Sequence, residues 1–445
     1  MAIDAGTTDI KALRVGSTVI SRAFLGNQKI YDQLDYPTLD LNFALTKTLD
    51  PRITFTRASS GTFFDSNGAI QTAPVNTPRF DHDPLTGESL GLLIEEQRTN
   101  SIRNNTMVGA VAGTPGTLPT NWFTFTFLTG LTQQIVGTGI ENGITYIDYK
   151  LSGTTSGAGS YNLFLEALGQ IVATPSQVWT SSGYFKLVTG SLTNIVNIAC
   201  GSQSRTAAGG FIEQYSTSFT ADSTLKRSSN TTPALPATTE RVVPVIIINV
   251  SAAAAIDITL RIGLPQLELG AFATSVIPTT TTALTRAADI AVMTGTNFSS
   301  WYNASEGTVS AAFDVYAPSV SDGYSRVYQI DDGTLNDNIA LLKNNGFGSA
   351  YYGYVGVAKV VQVTLFTPAI LANIPVKVAT AYKLNDFAQS TNGESVTTDT
   401  SGTIPTVTQM RIGSSAGAAA MNGHIRRITY FNRRLANSEL QLLSS

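Results

Sequence analysis

One cysteine and two histidines are all that a chain of 445 residues contains of the usual soft metal ligands. The lone Cys200 cannot close an intrachain disulfide and reads as a small buried hydrophobe. His82 and His424 stand far apart in sequence, so a zinc site would have to be assembled mainly from carboxylates, against the preference of that ion. Charge is also scarce: Asp, Glu, Lys and Arg make up 13% of the chain, about half the usual quarter. The net charge is −3, and no run of Lys or Arg forms a stripe, which argues against nucleic acid or an anionic membrane surface as partner. No apolar run approaches the roughly 20 residues of a membrane span, so no membrane insertion is expected. The N-terminal MAIDAGTTDIKALRVG has no charged start ahead of an apolar core, so no signal peptide is expected. There is no G-x-S-x-G elbow, no phosphate-cradling glycine loop and no fixed short repeat of the β-helix kind.

What the chain does have is alternation. Hydrophobic residues amount to 42%, and they recur with period two between clusters of Gly, Ser, Thr and Asn, while no segment sustains a 3.6-residue period. The cleanest case is Ile256 to Leu264, where Ile256, Ile258, Leu260, Ile262 and Leu264 share one face. Gly307 to Tyr316 likewise aligns Val309, Ala311, Phe313 and Val315. Further strands are expected at 144–151, 179–187, 194–199, 242–250, 326–330, 360–365, 376–382 and 424–431. One short helix is expected at 435–443, capped by Asn437 or Ser438. Many short strands at such spacing predict an all-β chain: a small N-terminal β meander followed by two antiparallel β-sandwiches of jelly-roll or lectin type.

The most distinctive stretch is Arg52 to Asn100. Asp65-Ser66-Asn67-Gly68 and Asp83-Pro84-Leu85-Thr86-Gly87 are turns, because Asn, Asp and Gly tolerate positive φ and Pro fixes φ. Arg57, Arg79 and Arg98 stand near Glu95 and Glu96 in an otherwise charge-poor segment, which suggests buried or half-buried Arg–carboxylate pairs. TFTRASSGTFFDSNG at 54–68 and PRFDHDPLTGESLGLLIEEQRTN at 78–100 resemble a segment of phage tail and head fibre or spike proteins. IGLPQLELGAFATSVIPTTTTALTRAADI at 262–290 is similar to a segment further along the same proteins. Thr285-Arg286-Ala287 echoes Thr56-Arg57-Ala58, too briefly to make a repeat.

The resemblance implies a virion component, and the chain is divided accordingly. Residues 1–34 would attach the subunit to other virion proteins of head or tail. Residues 35–100 would form a connecting segment packed on the domain after it. Residues 101–283 resemble jelly-roll carbohydrate-binding modules in layout. Residues 284–445 are similar to concanavalin A-like, laminin-G-type lectin domains, notably in KVATAYKLNDFAQSTNG and in the closing HIRRITYFNRRLANSEL. A homotrimer in the virion is what the fibre resemblance implies.

Binding fits better than catalysis. Sugars present C–H faces to flat aromatic rings and hydroxyls to polar groups. The candidates are Trp301, Tyr302, Tyr324, Tyr351, Tyr352 and Tyr354 in the last domain, and Trp122, Trp179 and Tyr184 in the middle one. Tyr351-Tyr352-Gly353-Tyr354 is the densest group, beside Asn344-Asn345-Gly346; a packing role is the plainer reading for any one ring alone. A glycosidase needs two opposed carboxylates; Glu95, Glu96, Glu166 and Glu213 offer no pattern, and no enzyme and no catalytic residue is expected. The loop Asp331 to Asp337, with Asp331, Asp332 and Asp337, is a weak calcium candidate without the spacing of a known loop; no cofactor is expected otherwise. The expected function is a virion fibre or spike subunit that binds host surface polysaccharide. The alternatives are a capsule depolymerase and a purely structural decoration protein.

Overall fold

The computed structural model describes residues 36–316, 324–344 and 348–445, together with four short strands nearer the N-terminus. Of those four, Leu13–Val15 pairs with Thr18–Ile20 and Arg22–Leu25 with Gln28–Asp32. The remainder of the expected N-terminal meander lies outside the described residues, as do Asn345 and Gly346. Nearly all of the regular secondary structure is strand, in antiparallel sheets, as the alternation predicts.

Two sandwiches account for most of it. The middle sandwich stacks two sheets. One runs in the order Phe123–Thr126, Gly159–Phe164, Arg241–Val250, Ile195–Arg205 and Phe211–Phe219, with Ile171–Val172 also on Arg241–Val250. The other runs Leu131–Glu141, Ile144–Thr154, Ala255–Leu269, Trp179–Ser191 and Lys226–Thr231. Ile256, Ile258, Leu260 and Ile262 point into its core, all at most 3% exposed. Cys200 lies in the same core at 1% exposed, and burial pushes its thiol up to about 11. Leu264, expected on the same face as Ile262, stands at φ 39 beside a break in the strand register and turns instead into a separate cluster with Ile144, Tyr184 and Val276.

The second sandwich is built from both ends of the chain. One sheet runs Thr397–Asp399, Asp386–Thr391, Val376–Lys383, Glu306–Val315, Gly423–Phe431, Ser89–Ile94 and Phe80–His82, with Leu39–Leu41 also on Gly423–Phe431. The other runs Val360–Ala369, Ala350–Val357, Asn338–Asn344, Tyr324–Asp331, Gln409–Ile412, Ile290–Thr294 and Thr54–Thr56. Its core includes Val309, Ala311, Phe313 and Val315, as their alternation predicts.

The motif segment packs on the domain that follows it only in part. Gly61–Phe64 and Ile70–Ala73 form a hairpin of their own, whose Phe64 and Ile70 lie against Ile144, Tyr184 and Leu264 of the middle sandwich. Thr54–Thr56, Phe80–His82 and Ser89–Ile94 instead join the sheets of the distant C-terminal sandwich. Leu92 pairs with Ile425, Leu93 with His424 and Ile94 with Gly423. The physical reason is visible in the unalternating Leu90-Gly91-Leu92-Leu93-Ile94. Leu92, Leu93 and Ile94 are all fully buried, which a strand needs when it is covered on both faces. Gly91 makes the close approach: at φ 95, a Cβ there would stand 2.2 Å from the Ile425 carbonyl oxygen. The middle sandwich is thus inserted into the composite one, and the chain leaves and returns through a short ladder pairing Arg98 with Arg286, Thr99 with Thr285 and Asn100 with Leu284.

The expected C-terminal helix is present as Asn437–Ser444. Its N-cap is Ala436 rather than Asn437 or Ser438. The Ala436 N–H donates to the Glu439 carboxylate at 2.6 Å, so Glu439 does the capping from within the first turn.

Candidate functional site

The junction of the two sandwiches holds a buried ion network. Arg79 donates to Glu95 at 2.7 Å, to Asp289 at 2.5 Å, to the Ser275 hydroxyl at 2.8 Å and to the Thr62 carbonyl at 3.1 Å. Arg57 reaches Asp289 at 3.1 Å and Arg286 reaches Glu95 at 2.9 Å. These side chains are at most 1% exposed. Glu268 joins through Thr274, whose hydroxyl donates to it at 2.5 Å and accepts from Arg286 at 3.1 Å. Three guanidiniums thus face three carboxylates, which is how charges persist in a dry interior. Burial alone would raise the Glu95 pKa; Arg286, Arg79 and the donors of Ser275 overcome it and hold it at about 2. Both Thr-Arg-Ala tripeptides deliver their arginine here. Beside them Arg98 donates to Glu96 at 2.7 Å.

A second buried cluster lies nearby. His424 sits between Asp314, 2.8 Å from Nδ1, and Asp81, 3.0 Å from Nε2. Burial alone would depress the imidazole pKa, but the two carboxylates raise it to about 10, so the ring is an imidazolium at neutral pH. Asp81 also accepts the Phe64 N–H at 2.6 Å. The sequence pointed to neither Asp81 nor Asp314, since the three residues meet only across the sheet.

Strand alternation divides the predicted tyrosine group. Tyr351 points into the core, 1% exposed, with its hydroxyl 3.0 Å from Ser325 Oγ. Tyr352 and Tyr354 emerge on the outer face of the seven-stranded sheet with Tyr324. The register sets Arg326, Leu342, Tyr352 and Phe366 in one row across four neighbouring strands. Tyr352 is itself buried, with Tyr354 at 6.3 Å and Phe366 at 5.4 Å between ring centroids. Around it Tyr324 and Tyr354 are half-buried and Phe366 is 42% exposed. The Arg326 guanidinium lies 5.3 Å from the Tyr324 ring centre. Gly356 leaves room for the Tyr354 ring, whose hydroxyl would stand 2.7 Å from a Cβ at that position. The face therefore offers three partly open aromatic rings around a buried fourth, with a cation and the Asn344 side chain at its edge.

The other candidates go elsewhere. Trp301 is core, 4% exposed, packed edge-on against Phe298 and Tyr430 at 5.0 and 4.8 Å. Tyr302 is half-buried against the same rings. Trp122 and Trp179 are 6% and 5% exposed, their indole N–H groups donating to the Asn104 carbonyl and the Gln177 side chain. Trp179 at the start of its strand and Trp122 in the turn just before Phe123–Thr126 both point inward as large apolar rings, so they fill the core and present no face to a ligand. Tyr184 differs: it is 5% exposed, yet it borders two cavities of about 480 and 540 Å³ at the junction.

In the acidic loop, Asp331 is buried and accepts from Gln329, the Gly333 N–H, Gln409 and Arg411. Asp332 caps Thr334, and Asp337 accepts from the Ala358 N–H. The three carboxylates turn to separate partners, and among the described residues no group of three or more His, Cys, Asp or Glu is placed to hold a metal ion. Glu166 is paired with Arg103 at 2.7 Å, and Glu213 accepts from the Tyr215 hydroxyl at 2.9 Å. Among the described residues no helix is long and apolar enough to cross a membrane.

No family model and no curated protein matches this chain. Solved structures do. A carbohydrate-binding module of the Ruminococcus gnavus IT-sialidase, designated CBM40, is 15% identical over 34% of this chain and 88% of its own, with a TM-score of 0.29. The NanB sialidase of Streptococcus pneumoniae is 14% identical over 33% of this chain and 25% of its own, at 0.28. The arabinose-bound MgGH51 α-L-arabinofuranosidase is 13% identical over 48% of this chain and 31% of its own, at 0.28. None of the three is a phage or fibre protein. Two of the three are enzymes, and against them the expectation that the chain is not an enzyme does not stand. At such TM-scores the likeness assigns this chain neither a site nor an activity.

Proposed function

We propose that this chain is a virion fibre or spike subunit that holds a host surface polysaccharide against the outer face of its composite sandwich. The observation that carries the binding reading is the convergence of Tyr324, Tyr354 and Phe366 around Tyr352 on one sheet face. Three strands deliver them, and the cross-strand register fixes their spacing. Half-open aromatic rings beside Arg326 and Asn344 supply flat faces for sugar C–H surfaces and donors for hydroxyls. The virion assignment rests on the resemblance of residues 54–100 and 262–290 to fibre and spike segments. In that reading residues 1–34 attach to other virion proteins, the subunit is a homotrimer, and repeated copies raise weak single-site affinities by avidity.

The test is binding of the purified full chain to host cells with and without their capsule, with the polymer's length measured afterwards. Capsule-dependent binding that Tyr354→Ala and Tyr324→Ala each weaken supports the reading. Binding that ignores both substitutions removes the aromatic face as the site. Shortening of the polymer would assign hydrolysis.

A further inference from the structure

Arg227 is a guanidinium without a counter-ion at a cavity wall. It lies on the edge strand Lys226–Thr231, directly opposite Tyr184. Its side chain borders both the 480 Å³ and the 540 Å³ cavities, which also share Phe64 and Tyr184. Its Nη1 donates to the Thr274 carbonyl at 2.7 Å and its Nη2 to the Ser182 hydroxyl at 2.9 Å. Its Nε–H has no partner, and none of the ion pairs among the described residues includes it. An arginine carries five N–H donors, so most of this one's capacity is unspent.

The surroundings sharpen the chemistry. Asp81, the one carboxylate in the 480 Å³ cavity, is already taken up by the Phe64 N–H and by His424, and does not neutralise Arg227. The Tyr184 ring lies 5.8 Å from the guanidinium carbon. Its hydroxyl has no hydrogen-bond partner among the described residues. Ser229 and Asn373 add neutral polar groups to the wall, and Phe64 and Phe272 add apolar surface. Volumes of this size fall within the roughly 300–1,000 Å³ of small-ligand sites.

We propose that this junction cavity holds the carboxylate of an acidic sugar residue, with Arg227 as its counter-ion and Tyr184 against the ring. Guanidinium and carboxylate match in planar, charge-assisted geometry, and hydroxyls on the same ring find Ser229, Asn373 and the Tyr184 phenol. The inference rests on the reading of the chain as glycan-binding. Its test uses a single sugar and residues remote from Tyr324 and Tyr354, so the two readings fail separately.

The experiment titrates the full chain with methyl β-D-glucuronoside and methyl β-D-glucoside, which differ by a carboxylate against a hydroxymethyl group, and follows binding by saturation-transfer NMR. The expected result is binding of the glucuronoside alone. It weakens with added salt, falls about tenfold or more in Arg227→Gln, and falls less in Arg227→Lys and Tyr184→Phe. A thermal melt of each variant checks the fold, and Arg227→Lys keeps the test decisive if Arg227→Gln does not fold. Equal binding of the glucoside, unchanged binding in a folded Arg227→Gln, or no binding of the glucuronoside overturns the proposal.

Discussion

Replacing Arg79 by Met is the sharpest test of how the two sandwiches are held together. Methionine keeps most of the side chain's length and apolar stem and deletes the charge. The substitution strips four contacts at once, to Thr62, Glu95, Ser275 and Asp289. Both carboxylates have fully buried side chains, so water cannot replace the lost donors. Breaking one partner out of a buried ion pair costs about 3–5 kcal/mol. With a urea m-value of about 1–3 kcal/mol/M, the unfolding midpoint should fall by at least about 1 M. The three tryptophans report by location: Trp301 lies in the composite core, Trp122 and Trp179 in the middle one. Variants keeping only Trp301 should show the full loss, because Arg79 and both its carboxylates belong to strands or turns of the composite sandwich. Adding Glu95→Gln to Arg79→Met should recover part of the loss, since it removes one stranded charge. A midpoint shift below about 0.3 M would refute the argument, since the buried charges would then contribute no more than an exposed pair.

Glu95, held at about 2 in the fold against 4.5 when free, contributes stability that is whole above pH 4.5 and lost as pH falls towards 2. Unfolding midpoints should therefore drop through that window, and Glu95→Gln should flatten the drop. His424 acts at the other end. Its folded value of about 10 exceeds the free value of 6.5, so its contribution is whole below pH 6.5 and fades as pH rises to about 10. Midpoints in His424→Gln should be lower near neutrality and lose that alkaline slope. Gly91→Ala should cost at least about 2 kcal/mol in chemical unfolding, because positive φ and a carbonyl contact coincide there. Gly356→Ala should leave stability nearly unchanged in a melt yet weaken polysaccharide binding, since it lifts the Tyr354 ring off the sheet.

Much of the fold was legible because period-two alternation is a local signal. Ile256 to Ile262 and Gly307 to Tyr316 declare their inward faces without reference to any partner, while Leu264, past a break in the register, does not follow. The pairing of Arg79 with Glu95 and of Arg98 with Glu96 was legible too, since charge in a charge-poor segment has to be matched; Asp289, the partner of Arg57, was not. What local pattern could not reveal was which sheet a strand joins. Leu92-Leu93-Ile94 reads as doubly buried wherever it goes, and its partner, His424 to Ile425, lies more than three hundred residues away. The same limit hid Asp314 and Asp81 on either side of His424, and Arg227 beneath the junction. Alternation also misled where it was ignored: Tyr351 and Tyr352 are adjacent in sequence but face opposite sides of their sheet.

The two motif-rich segments, 54–100 and 262–290, are separate in sequence and form one physical unit. Residues 54–100 supply Arg57, Arg79 and Glu95, and residues 262–290 supply Glu268, Ser275, Arg286 and Asp289 to the same buried network. A dry ion network tolerates little change at any one member, because each substitution strands a charge on another. Both segments are therefore constrained by how the inserted sandwich is joined to its host. Tyr324, Tyr354 and Phe366 lie outside both segments, and so does Arg227. The aromatic face is thus separate from the mount, whereas the Arg227 cavity is walled in part by Phe64, Asp81 and Phe272 of the two segments. A chain built this way can exchange its aromatic face without disturbing the joint, while a change in the Arg227 cavity touches the joint itself, so each must be tested on its own chemistry.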